Sequence, residues 1–238
     1  MMHKRFGCFW VMAFLLAGLS FPAASAQQSQ TAAELWFEFL ADSRTLYLQY
    51  NAVANKHDGE TLAAFFRRVF QFVEANPVEK FVIDLRGNSG GNGVLNWPLI
   101  YGLIRSDKVN QKGRLFTLIG RQTFSAGLHA AALLELHTRT LFVGEPTGGK
   151  VNSYGDHIQL TLPHSRLEVF IAPYFYQNTY PWDERHWIAP QIQAEFSFED
   201  YRANHDPALA AIKSYEKALQ LNPHQNSAVE ALKRLREK

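Results

Sequence analysis

Residues 80–91 read Lys80-Phe81-Val82-Ile83-Asp84-Leu85-Arg86-Gly87-Asn88-Ser89-Gly90-Gly91. Lys80–Leu85 is a short apolar run, rich in β-branched and aromatic residues, and predicts a buried strand. The glycine-bearing loop after it lets the backbone turn and bring N–H groups up to a ligand or an oxyanion. A strand running straight into such a loop is how an α/β sheet presents a ligand site, at the carboxyl ends of its strands. The loop is neither G-x-G-x-x-G nor a Walker loop, so the spacing does not specify a nucleotide. A tight strand-to-helix turn with no ligand would use the same glycines.

The same alternation continues on either side. Upstream, Leu62, Phe65, Phe66, Val69, Phe70 and Val73 recur at helical spacing within Thr61–Ala75, and Asn76-Pro77 ends the run. Before that, Thr45–Asn51 alternates apolar and polar as a half-buried strand does. Downstream, Leu95–Arg105 predicts a helix and Gly113–Gly120 a strand. Thr123–Leu136 predicts an Ala/Leu-rich helix opening on Thr123-Phe124-Ser125-Ala126-Gly127, and Arg139–Val143 a strand running into Gly144–Lys150. His157–Leu162 and Leu167–Ala172 alternate around Pro163-His164-Ser165 and predict a hairpin. Strands alternating with helices predict an α/β core.

Composition narrows the class. Of 238 residues, 47% are hydrophobic and 19% charged, which excludes a disordered chain. Lys+Arg (24) barely exceeds Asp+Glu (22), which argues against a nucleic-acid binder. Met1–Ala26 reads as a secretory signal. Lys4 and Arg5 precede the 14-residue apolar run Cys8–Phe21, Pro22 breaks it, and Ala24-Ser25-Ala26 fits a cleavage site. The run is short for a membrane span. Cleavage would remove two basic residues and no acid, taking the net charge from +2 to zero, and would remove the only Cys. An exported periplasmic or extracellular protein is expected, with no disulfide, no thiol nucleophile and no membrane insertion after cleavage. The expected layout is a signal over residues 1–26, a core over 27–200 and a helical tail over 201–238. In that tail, Pro207–Lys238 predicts two helices broken at Asn222-Pro223. Ala211, Tyr215, Ala218 and Pro223 have the spacing of the second helix of a tetratricopeptide repeat. A helical pair packed on the core is the alternative.

Two of the loops carry candidate reactive groups. Ser125 sits between small residues at a helix start. It is either an ordinary helix N-cap or a hydroxyl exposed to a cleft. Serine is a poor nucleophile until a base takes its proton. Lys150, among glycines and before Val151, is such a base if burial lowers its pKa, and otherwise a solvated loop lysine.

Together these segments resemble the C-terminal processing (tail-specific) serine peptidases. Asp84–Gly91 matches the family's D-L-R-x-N-x-G-G loop, Thr123–Gly127 its S-A-S-A-like segment, and Val143–Lys150 its V-G-x-x-T-x-G-K segment. Lys150 lies 25 residues after Ser125, as the family's dyad lysine does, and Ile188-Ala189-Pro190-Gln191 fits a late I-x-P-[DQ] element. The resemblance spans roughly Arg44–Ile192. It implies a ClpP/crotonase-like stack of ββα units and a Ser125 nucleophile with Lys150 as general base. It further implies an oxyanion hole from the N–H of Ala126 and one from Gly90 or Gly91, a protein or peptide substrate, and no cofactor. The family usually carries a PDZ domain, and no segment of this chain is long enough for one. Tyr154 stands where a glutamine often orients the family's lysine.

Alternatives remain. A histidine could replace Lys150 as base: His129 is one helical turn from Ser125, and His57, His157, His164 and His186 lie in or near loops and strands. No histidine spacing supports a metal. The aromatic run within Pro173–Trp187 could line a substrate cleft or pack as a rim over the sheet. The fold could also serve to bind peptides or partners without cutting them, with the C-terminal helices as the partner surface. A coenzyme A reading on the related crotonase fold would need a basic cluster, and only scattered charges (Arg86, Arg105, Lys108) occur near the glycine loop.

Overall fold

A computed structural model describes residues 34–221. The expected signal lies outside the described residues. The chain opens with β1 (Leu35–Leu40) and β2 (Thr45–Tyr50), then the short pair β3 (Lys56–His57) and β4 (Glu60–Thr61), then α1 (Leu62–Ala75). Next come β5 (Lys80–Asp84), a 3-10 turn Gly93–Asn96, α2 (Trp97–Arg105), β6 (Leu115–Ile119), α3 (Ala126–His137) and β7 (Leu141–Gly144). An outlying segment follows: β8 (Ser153–Gly155), β9 (Ile158–Thr161), β10 (Glu168–Ile171) and β11 (Tyr174–Tyr176). The chain returns to the sheet at β12 (Ile192–Gln193) and ends in α4 (Phe198–Ala203) and α5 (Pro207–Leu221).

The main sheet runs β1-β2-β5-β6-β7-β12. Only the β1–β2 pairing is antiparallel; the other four are parallel. Parallel strands need helical crossovers, and these cover the faces. One face carries Leu46, Leu48, Phe81, Ile83, Leu115 and Ile119 under α1, α2 and α3. The other carries Val82, Phe116, Leu118, Leu141 and Val143 under α5. The period of two along each strand decides which side chain meets which layer.

Local chemistry explains the elements. The Thr61 hydroxyl accepts from the Ala64 N–H at 3.2 Å and caps α1. Leu62, Phe65, Phe66, Val69 and Val73 then form one buried stripe, each worth about 1.5–3 kcal/mol of gross burial. α1 and α2 meet where α2 has no side chain: a Cβ on Gly102 would fall 1.9 Å from the Phe70 ring. The sequence reading assigns no element where β1 lies. The strand's Leu35, Phe37 and Phe39 pack against the core that α1 covers.

The expected strands and helices of the core stand within two or three residues of the elements found. α5 is one expected tail helix. Ala208, Ala211, Ile212 and Tyr215 bury against the sheet, with Tyr215 edge-on to Phe116 at 5.7 Å. The repeat-like spacing at Ala211 and Tyr215 is therefore spent on the sheet. The other expected tail helix lies outside the described residues. Among the described residues no helix is long and apolar enough to cross a membrane.

Candidate active site

Four segments leave the same edge of the sheet: Asn51–Val53 after β2, Leu85–Asn92 after β5, Gly120–Ser125 after β6 and Glu145–Asn152 after β7. This carboxyl edge is where a parallel sheet places its ligands. The topology thus gathers four segments distant in sequence.

Ser125 stands at the N-cap position of α3, yet it is not an ordinary cap. Its φ and ψ are 49° and −123°, and its side chain makes no capping hydrogen bond. A non-glycine residue held at positive φ costs on the order of 1–3 kcal/mol. The neighbours hold it there. The Phe124 N–H donates to Asn88 O at 3.0 Å, and the Thr123 hydroxyl donates to Leu85 O at 2.8 Å. On the helix side, Asn96 Nδ2 donates to Ala126 O at 2.9 Å while Asn96 Oδ1 accepts from the Tyr50 hydroxyl at 2.8 Å. Asn96 is fully buried, and sequence reasoning missed it as a site residue. Ser125 itself is exposed.

The glycine loop presses against the serine. A Cβ on Gly90, whose φ is +125°, would lie 2.7 Å from Ser125 Cβ, 3.0 Å from its Oγ and 3.2 Å from the Ala126 nitrogen. Asn88, buried behind it, donates to Tyr50 O at 2.8 Å and accepts the Gly90 N–H at 3.1 Å. Val53 N–H donates to Gly90 O, and Asn92 N–H to Val53 O, each at 2.8 Å. Among the described residues, the N–H groups of Gly91 and Ala126 have no acceptor. Of the three expected oxyanion donors, Gly90 gives its N–H to Asn88, while those of Gly91 and Ala126 make no hydrogen bond among the described residues.

The third loop docks on the same helix start. The Gly148 N–H donates to Thr123 O at 3.0 Å, and a Cβ on Gly149 would lie 2.9 Å from the Phe124 ring. Lys150 follows and is exposed; among the described residues it makes no hydrogen bond or ion pair. Val151, next to it, is fully buried. Tyr154 turns its ring edge-on to Phe175, 5.2 Å away, and is 65% exposed.

Of the histidines, His129 packs on the 3-10 turn: a Cβ on Gly93 would lie 2.6 Å from His129 Nδ1. Burial holds its imidazole below the usual value, against a hydrogen bond to the Gly93 backbone. His57 lies four residues beyond Val53, with Nδ1 3.6 Å from Glu34. Its Nε2 is buried without a partner. His157 packs edge-on to Phe170 in the outlying segment, and His186 lies beside Trp187 in the loop between β11 and β12. The aromatic run is neither a packed rim nor buried: Tyr174, Phe175, Tyr176, Tyr180 and Trp182 are all exposed. The expectation of a rim over the sheet is thereby corrected. Asp183, bonded to Arg185 and Thr179, anchors the loop after β11 instead.

Beneath the glycine loop lies an ionic cluster. Arg86 donates to Asp84, with Nη2–Oδ2 at 2.6 Å, and to both oxygens of Asp206 at 3.1 and 2.8 Å. The Tyr47 hydroxyl donates to Asp84 Oδ2 at 2.5 Å. Burial, and then the Asp84 carboxylate, push that hydroxyl's pKa up, so it stays a donor. Asp206 also accepts the N–H groups of Ala208 and Leu209, capping α5. No group of three or more metal-ligating side chains occurs among the described residues.

No family model matches the chain, and no curated protein matches it. Solved structures do. A candidate S41 protease from Bacteroides fragilis NCTC 9343 aligns at TM-score 0.50 and 19% identity, covering 75% of this chain and 56% of the other. A candidate peptidase from Parabacteroides merdae ATCC 43184 aligns at TM-score 0.53 and 16% identity, covering 76% and 63%. The chain spans somewhat over half the length of these structures. What the sheet order and crossovers indicate, these two alignments support: the chain shares the core fold of these peptidases.

Proposed function

We propose that this chain is an exported serine peptidase on a ClpP/crotonase-like fold, with Ser125 as its nucleophile. The observation that carries the reading is Ser125 held at φ +49°, without a cap bond, against Gly90, where the next N–H along each segment (Gly91 and Ala126) has no acceptor among the described residues. A helix cap has no use for that strain. A nucleophile presented to a carbonyl does.

Ser125 Oγ attacks the scissile carbonyl and its proton passes to a base. The carbonyl oxygen becomes an oxyanion held by the N–H groups of Ala126 and Gly91. The amine leaves with that proton, and water then cleaves the Ser125 ester. Lys150 is the base in this reading. A lysine acts as a base when desolvated, so the bound substrate must cover it. His57, with its buried unpartnered Nε2, is the alternative base.

A second reading has one observation behind it. Lys150 is exposed, as it would be in a module that binds peptides without cutting them. The test is cleavage of an unfolded protein substrate by wild type, Ser125→Ala, Lys150→Ala and His57→Gln. Cleavage lost in Ser125→Ala and Lys150→Ala supports the dyad. Cleavage lost in Ser125→Ala and His57→Gln moves the base to His57. A folded wild type no more active than Ser125→Ala leaves the binding module.

A further inference from the structure

Strands β9 and β10 form a ribbon that stands apart from the sheet. Their register pairs Val169 with Leu160 and Ile171 with Ile158. The period of two then places Ile158, Leu160, Leu162, Leu167, Val169 and Ile171 on one face. Gln159, Thr161, Glu168 and Phe170 lie on the other, where Phe170 meets His157 edge-on at 5.3 Å. The apolar face is exposed along its whole length, from 37% at Val169 to 63% at Leu167. A two-stranded ribbon with a bare apolar face is marginal alone in water. Six uncharged side chains in register on one face are a surface built to be covered.

We propose that the ribbon is a dimerisation arm, its apolar face covered by the same face of a second copy of this chain across a twofold axis. Area is the first argument. The six side chains expose roughly 500 Å², so a face-to-face pair covers about 1,000 Å² in all, the size at which a specific interface begins. Charge is the second. The face carries no charge, but the tip carries Arg166 and the root Asp156. A twofold lying between the two faces and running across the strands sets each tip against the partner's root, so Arg166 meets Asp156, whose carboxylate also takes the Tyr176 hydroxyl, twice. Two such ribbons stack as sheets do, about 10 Å apart.

The experiment is sedimentation velocity on the exported, purified protein, its start defined by mass spectrometry, from about 1 to 100 μM. Wild type sediments as a dimer, and Leu160→Asp raises the dissociation constant about 100-fold or more. Ile104→Asp, on the exposed side of α2, leaves it unchanged, and circular dichroism reports whether each variant is folded. Should Leu160→Asp misfold, the charge variants still decide. Arg166→Glu alone and Asp156→Lys alone each weaken self-association about 10-fold, because each homodimer gains two like-charge contacts. Mixed one to one, they pair with each other, since both contacts are then opposite in sign. A wild type monomeric at 100 μM overturns the proposal, as does a Leu160→Asp dimer of unchanged affinity or charge variants that fail to pair. A monomer that pellets with anionic phospholipid vesicles overturns it too, and makes the face a membrane contact.

Discussion

Asp206→Ala tests how the C-terminal helix supports the glycine loop. Asp206 takes two charge-assisted bonds from Arg86 and caps α5 through Ala208 and Leu209. Hydrogen bonds to charged groups contribute about 1.5–3 kcal/mol, less where solvent reaches them. Arg86 and Asp206 are each about a quarter exposed (24% and 26%), so the lower end applies. The cap adds about 1 kcal/mol. Asp206→Ala should therefore cost about 2–4 kcal/mol. Asp206→Asn, which keeps a cap oxygen and one acceptor, should cost about 1–2 kcal/mol. Arg86→Ala should cost more than either, about 3–5 kcal/mol, because it strands the Asp84 carboxylate, 2% exposed, with only the Tyr47 hydroxyl and the Arg86 backbone N–H. Urea unfolding followed by circular dichroism, at one protein concentration, gives all three. An Asp206→Ala loss under about 0.5 kcal/mol, or an Arg86→Ala loss no larger than Asp206→Ala, refutes the clamp.

Other expectations follow from the same contacts. Gly90→Ala forces a Cβ into Ser125 at a φ of +125°, so peptidase activity should fall at least about 100-fold while the far-ultraviolet spectrum stays native. Gly102→Ala drives a methyl into the Phe70 ring and should lower the free energy of unfolding in urea by about 1–3 kcal/mol, without changing KM. Burial depresses the His129 pKa in the folded state, so its contribution to stability is present above the unfolded value of 6.5 and is lost as pH falls toward the folded value. Urea midpoints should therefore drop between pH 7 and pH 5, and His129→Gln should flatten that slope. The Ser197 hydroxyl, then His205, hold the Asp200 carboxyl at about 2, so the capping box of α4 should persist at pH 4 and open as pH approaches 2, read by the Asp200 carboxyl NMR signal.

The parallel core was legible because its strands and helices each carry one clean period. Lys80–Leu85 and Thr61–Ala75 bury what their patterns predict. β1 was not read, although Leu35, Phe37 and Phe39 alternate, because Trp36 and Leu40 stand where the pattern needs polar residues. At Ser125 the residue types alone allow both a cap and a nucleophile; what separates them is a backbone angle that no residue count reveals. Asn96 and Asp206 act through contacts 30 and 120 residues away along the chain, beyond the reach of any local pattern. The hairpin was legible as a hairpin, but its alternation predicts a buried face without saying what buries it.

The central claim is that Ser125 is the nucleophile. Labelling with a fluorophosphonate, followed by peptide mapping, tests it most directly. The account predicts one phosphonyl adduct on the peptide bearing Ser125 and none on folded Ser125→Ala. A folded wild type left unlabelled at Ser125, or an equal adduct on Ser125→Ala, would contradict it.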